Sequence, residues 1–309
     1  MMTKKLTSIL AGLLLTLLFS CQERPLPIEE GFMFINNSEV YYKTMGEGEP
    51  LLVIHGGPVL DHSYFLPHLE SLAKDFQLIF YDQRACGKSS IDIDSATMNL
   101  AGFVEDIEQI RQKMGFEKIN ILGHSWGGLV AMKYAIAHND KIDRLILSNS
   151  MAPSATDWQT ENIEASKQIN PDDRRRLDNI VSTGLIRSAN PTPYIKEMML
   201  LSFKSQMANA ENISKLNLYI PDDFQQRSGV FGLLGPDLGE FDLYAQLERI
   251  TTPTLVLFGE TEAAVNLHAQ KMTDSFSEAE LIVIPDSGHF PFIENPTEFD
   301  RVVKHFLKK

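Results

Sequence analysis

From residue 32 onward the chain alternates short, largely apolar runs with stretches of helical period, and this alternation restricts it to an α/β architecture: a mostly parallel sheet with helices on both faces. Residues 51–55, 76–81, 119–122, 142–147, 254–258 and 281–284 have strand length and the apolar character that strands buried on both sides require. Residues 32–35 and 40–43, separated by Asn36, Asn37 and Ser38, predict an opening hairpin. Between the runs, Leu100, Val104, Ile107, Ile110 and Met114 share one helical face, with Gly115 placed for a C-terminal cap. A last helix is predicted over 297–307.

The alternation lapses between Met151 and Glu240. Pro171-Asp172-Asp173 opens a helix through Asn179, and a second runs from Tyr194 toward Met207. The stretch is too long for a loop, so it predicts a helical lid over the C-terminal edge of the strands. Residues 32–150 and 241–309 then form one α/β core and residues 151–240 the cap, an organisation that 309 residues accommodate.

The chain ahead of this core reads as a targeting segment. Lys4 and Lys5 precede an apolar run over 6–19, shorter than the span of about 20 residues that a membrane helix needs. Residues 1–20 are therefore expected to be an export signal. Leu18-Phe19-Ser20-Cys21 resembles the bacterial lipoprotein signal, in which cleavage leaves the cysteine as a diacylated N-terminus; the alternative is a plain signal or an uncleaved anchor with an incidental Cys21. The expectation is an exported lipoprotein, anchored through Cys21 on the periplasmic or outer surface of a bacterial cell, with residues 21–31 as a tether. Cys86 is then the one thiol left, so no intramolecular disulfide can form. A formal charge of −13 argues against a surface for polyanions, and nucleic acid is not an expected partner.

Chemistry is carried by Gly123-His124-Ser125-Trp126-Gly127, which follows the run at 119–122 and precedes an apolar helix bearing Leu129, Val130, Met132 and Ala135. A serine at a tight turn between strand and helix needs glycines two positions to either side, because a side chain there would clash. The hydroxyl of Ser125 then projects at a helix N-terminus, where the Trp126 N–H can stabilise negative charge. His289, in Asp286-Ser287-Gly288-His289, follows the last strand run and can reach the same sheet edge as general base. His55 and His124 lie in motif turns and read as structural; His62, His68, His138, His268 and His305 read as solvated or packed. The acid that orients His289 is expected after the run at 254–258, in Gly259-Glu260-Thr261-Glu262, with Glu262 chosen and Glu260 and Asp286 as alternatives. In His55-Gly56-Gly57-Pro58 the glycines let the backbone approach a substrate oxygen, with the Gly57 N–H as second oxyanion donor. No His/Cys/Asp/Glu grouping has ligand spacing outside these residues, so neither metal nor cofactor is expected.

Residues 55–58, Asp82-Gln83-Arg84-Ala85-Cys86-Gly87-Lys88-Ser89 and 123–128 together resemble the proline iminopeptidase family of α/β-hydrolases, and Gly235-Pro236, Glu240-Phe241-Asp242 and Pro253-Thr254-Leu255-Val256 extend the resemblance over most of the chain. It implies that Asp82, Arg84 and Gly87 buttress the oxyanion loop. Val59 and Ala85 stand where the family usually has glycine. Those aminopeptidases hold a free amino terminus with acids in a G-P-N-E-F lid segment and just after the catalytic aspartate; here the stretches read Gly235-Pro236-Asp237-Leu238 and Glu262-Ala263, and Asp237 or Glu240 is the expected substitute.

The implied activity is cleavage of a small amide or the N-terminal residue of a short peptide through an acyl-enzyme. A carboxylesterase or lactonase using the same groups is the alternative, and a non-catalytic ligand-binding lipoprotein a third reading.

Overall fold

The computed structural model describes residues 25–57 and 59–309; the expected export signal at 1–20 and the lipidation site at Cys21 lie outside the described residues. Among the described residues no helix is long and apolar enough to cross a membrane.

Among the described residues, eight strands form one sheet in the order β1-β2-β4-β3-β5-β6-β7-β8. They are β1 (Ile28–Ile35), β2 (Ser38–Met45), β3 (Glu49–Ile54), β4 (Phe76–Tyr81), β5 (Ile119–His124), β6 (Ile142–Ser148), β7 (Thr254–Gly259) and β8 (Ala279–Ile284). The β1/β2 hairpin and the β2/β4 pair are antiparallel, and every pair from β4 to β8 is parallel. The predicted α/β sheet is therefore present, but β1 begins at Ile28 instead of Phe32. Its first residues, expected in the tether, pair with β2 from Ile28↔Met45 onward. An edge strand with one face in water carries charge, and Glu29 and Glu30 hide the strand period there.

Alternation along the parallel strands sorts the core onto two faces. Leu52, Ile54, Ile121, Leu147 and Val256 pack on one side with α1 (Leu100–Lys113) and α2 (Trp126–Ala137). Leu51, Val53, Leu122, Ile146 and Leu257 pack on the other with Phe299, Val302, Val303 and Phe306 of the C-terminal helix, Pro296–Leu307. Cys86 is a buried free thiol.

The excursion after β6 leaves and returns at one point. Ser154 and Asp242 form an antiparallel bridge, flanked by Ala155 N–H to Phe241 O and Leu243 N–H to Pro153 O, both 2.8 Å. Between them run α3 (Ala155–Lys167), α4 (Pro171–Ser182), α5 (Thr192–Lys204), α6 (Phe224–Phe231) and α7 (Gly235–Gly239). Each predicted cap helix is present with shifted ends: the first continues to Ser182, and the second stops at Lys204, short of Met207.

Candidate active site

Ser125 occupies the turn between β5 and α2 with φ 55° and ψ −123°, a region that non-glycine residues enter only when their surroundings enforce it. The surroundings do so. The Ser125 N–H donates to Ser148 O at 3.2 Å, and its carbonyl accepts from Gly128 N–H (2.9 Å) and Met151 N–H (3.0 Å). A Cβ on Gly123 would lie 2.5 Å from Gly127 O, and one on Gly127 would lie 2.2 Å from Ile54 O, so both positions require glycine. Trp126 opens α2, and its N–H has no acceptor within the helix.

His289 sits on the loop after β8, held by its own N–H to Gln206 O of the cap at 2.8 Å. Its Nδ1 is hydrogen-bonded to Oε1 of Glu262, in the turn after β7, and Glu262 Oε2 accepts from Asn149 Nδ2, which also donates to Gly288 O at 3.0 Å. Burial disfavours the charged imidazole, but the charge and hydrogen bond of Glu262, with contributions from Glu161 and Glu294, outweigh it and raise the His289 pKa above the usual histidine value. The alternative acids face each other: Glu260 accepts the Asp286 N–H at 3.1 Å, and both are exposed. Asn149, at the end of β6, escaped sequence reasoning; its only signal is a polar residue closing an apolar strand.

On the opposite side of Ser125, Gly57 has φ 94°. Its loop is braced by Gln83, whose Nε2 donates to His55 O at 2.6 Å while its Oε1 accepts Trp126 Nε1–H at 2.9 Å. Direct support of the loop at residues 55–57 thus comes from Gln83. Arg84 instead clamps Asp106 of α1 at 2.7 and 2.6 Å, and Asp82 holds His62 Nδ1 at 2.6 Å and Lys88 N–H at 2.8 Å. A Cβ on Gly87 would meet Asp82 Oδ2 at 2.3 Å. Val59 and Ala85 have φ of 59° and 58°, the left-handed region that glycine would favour. Asp61, His62 and Asp82 bring ligand-type atoms within 4.8 Å of one another, and their hydrogen bonds to each other and to the Ser63 and Lys88 backbone hold this turn.

Ser125, His289 and Glu262 open with Gly57 and Trp126 onto one cavity of ≈ 530 Å³. Met151, Trp158, Phe203, Phe231 and Leu238 supply apolar wall, much of it from the cap. Asp237 and Glu240 are not in that wall, which corrects the expectation from the resemblance. Asp237 Oδ2 accepts the Leu100 N–H at 2.6 Å and so ties α7 to the first turn of α1, whose N-cap is Asn99, and Glu240 is exposed. The cavity's carboxylate besides Glu262 is Glu161 of α3, bonded at 2.9 Å to His268 Nε2. Burial, reinforced by the charge of Glu262, raises the Glu161 pKa against the lowering effect of His268. His268 is 2% exposed, and its Nδ1 has no hydrogen-bond partner among the described residues.

The alpha/beta hydrolase fold model matches residues 49–296. A proline iminopeptidase of Heyndrickxia coagulans is 29% identical over 289 residues, covering 90% of this chain and 98% of that protein. In fold, the chain is similar to a crystal structure of proline iminopeptidase from Mycobacterium smegmatis (TM-score 0.67, 23% identity) and to an esterase from Thermogutta terrifontis (TM-score 0.65, 22%), each covering 91% of this chain and 98% of the other.

Proposed function

The chain belongs to the alpha/beta hydrolase fold family and is a hydrolase, and from that premise we propose that it cleaves a small amide or the N-terminal residue of a short peptide through an acyl-enzyme on Ser125. In this reading Ser125 Oγ attacks the carbonyl while His289 takes its proton, and Glu262 holds the imidazole and stabilises its charged form. The N–H groups of Gly57 and Trp126 receive the oxyanion. His289 returns the proton to the leaving amine, and water, deprotonated by His289, releases the acid.

The observation that carries the aminopeptidase reading is Glu161. It stands on the cavity wall with Ser125, where burial disfavours an unpaired carboxylate; a substrate ammonium would pair with it in a site shielded from water. Ester or lactone hydrolysis by the same groups is the second reading, favoured by the apolar wall that Met151, Trp158, Phe203, Phe231 and Leu238 give the cavity. Comparison of prolyl and alanyl arylamides with their N-acetyl derivatives and with short-chain esters tests it: the free amine is expected to be preferred by about 10- to 100-fold in kcat/KM. Equal rates with and without the acetyl group put the ester reading in front.

A further inference from the structure

Beneath Ser125, hydrogen bonds run in one direction from the oxyanion loop to the histidine loop. The Gly56 N–H donates to Tyr64 Oη at 2.7 Å. The phenol keeps one proton to give, and His124 Nδ1 lies 2.8 Å away. If Nδ1 accepts, the His124 proton sits on Nε2, which faces the carbonyl oxygen of His289 at 2.8 Å. That carbonyl can only accept, so it requires the Nε2–H tautomer, and Nδ1 is then free to accept the phenol proton. Tyr64 and His124 are each 1% exposed and are packed among Phe65, Phe290 and Phe292. A Cβ on Gly56 would stand 2.8 Å from Ser125 Cβ, so this loop touches the serine turn directly.

We infer that Tyr64 and His124 are positioning residues: a buried strut that fixes the separation between the oxyanion loop and the His289 backbone, and so keeps base and oxyanion donor in register around Ser125. The inference rests on the serine-hydrolase reading. Burial and the neighbouring His289 hold the His124 pKa well below the usual histidine value, so the strut keeps its tautomer when His289 takes the serine proton.

The test is the rate at which a fluorophosphonate labels Ser125, per active site, which needs no knowledge of the substrate. Tyr64→Phe keeps the ring and removes both hydrogen bonds; it is expected to slow labelling about tenfold, lower kcat and not raise KM for an arylamide, and leave the apparent pKa of the pH profile in place. His124→Gln, whose amide can still donate toward the His289 carbonyl, should recover part of that loss relative to His124→Leu. Labelling of Tyr64→Phe and His124→Leu at the wild-type rate overturns the strut. A wild type that does not label overturns the nucleophile assignment and the strut with it. Imidazole nitrogen NMR on the wild type is independent of whether variants fold: His124 should stay in the Nε2–H tautomer from about pH 5 to 9, and an Nδ1–H tautomer contradicts the inference.

Discussion

The carboxylate of Glu161, on the wall of the cavity that holds Ser125, meets Nε2 of His268 at 2.9 Å, joining α3 to the segment after β7. This pair gives the cavity an acid beyond Glu262, in a place where desolvation makes charge pairing matter. Glu161→Gln is expected to reduce kcat/KM for prolyl arylamide about 10- to 100-fold and to leave the N-acetyl derivative within about threefold of wild type. Steady-state kinetics on the two substrates reads the difference. An equal loss on both would remove Glu161 from amine recognition.

The pH profile follows from the sign of the His289 shift. Catalysis needs the neutral imidazole, and the pKa is raised mainly by Glu262 against burial, so kcat/KM should rise through an apparent pKa above about 6.5 and then level. Because Glu161 adds to the raising field, Glu161→Gln should move that limb toward lower pH. A profile flat from about pH 5 to 8 contradicts a histidine base.

Asp237 is expected to matter for stability alone. Its carboxylate accepts the Leu100 N–H at the N-terminus of α1, where an acid contributes about 0.5–2 kcal/mol. Asp237→Ala should lower the thermal midpoint by about 1–3 °C while kcat/KM for the free-amine substrate changes less than about twofold. A large rise in KM at unchanged Tm would return Asp237 to the substrate.

What was legible in the sequence follows the range of the interactions. Gly123 to Gly127 carry their own geometry, because a strand, a turn and a helix meet within a few residues. His289 and Glu262 could be placed because loops after β7 and β8 open on the same sheet edge. Glu262 was the choice in the sequence with Glu260 and Asp286 left open, and in three dimensions Glu262 reaches His289 while Glu260 turns to the Asp286 backbone. Tyr64 and His124 are 60 positions apart, and nothing local marks either as a partner of the other. Asp237 was drawn toward the substrate by its place in the lid, although its hydrogen-bond partner lies 137 positions earlier. Glu161 is one of several acids on a polar helix, and only its approach to His268 distinguishes it.

The lipid anchor expected at Cys21 is tested apart from the enzyme. Cells expressing the full chain and fed an alkynyl fatty acid should yield labelled protein, and Cys21→Ala should yield none while keeping its hydrolase activity. Equal labelling of both would exclude Cys21 as the acylated residue.

The central claim is that Ser125 is a nucleophile driven by His289, and covalent trapping tests it most directly. Mass spectrometry of the full-length protein after fluorophosphonate treatment should find one adduct on the peptide containing Ser125. Ser125→Ala should carry no adduct at that peptide, and His289→Ala should react slower by about a thousandfold or more. An adduct that forms at the wild-type rate in either variant would contradict the account.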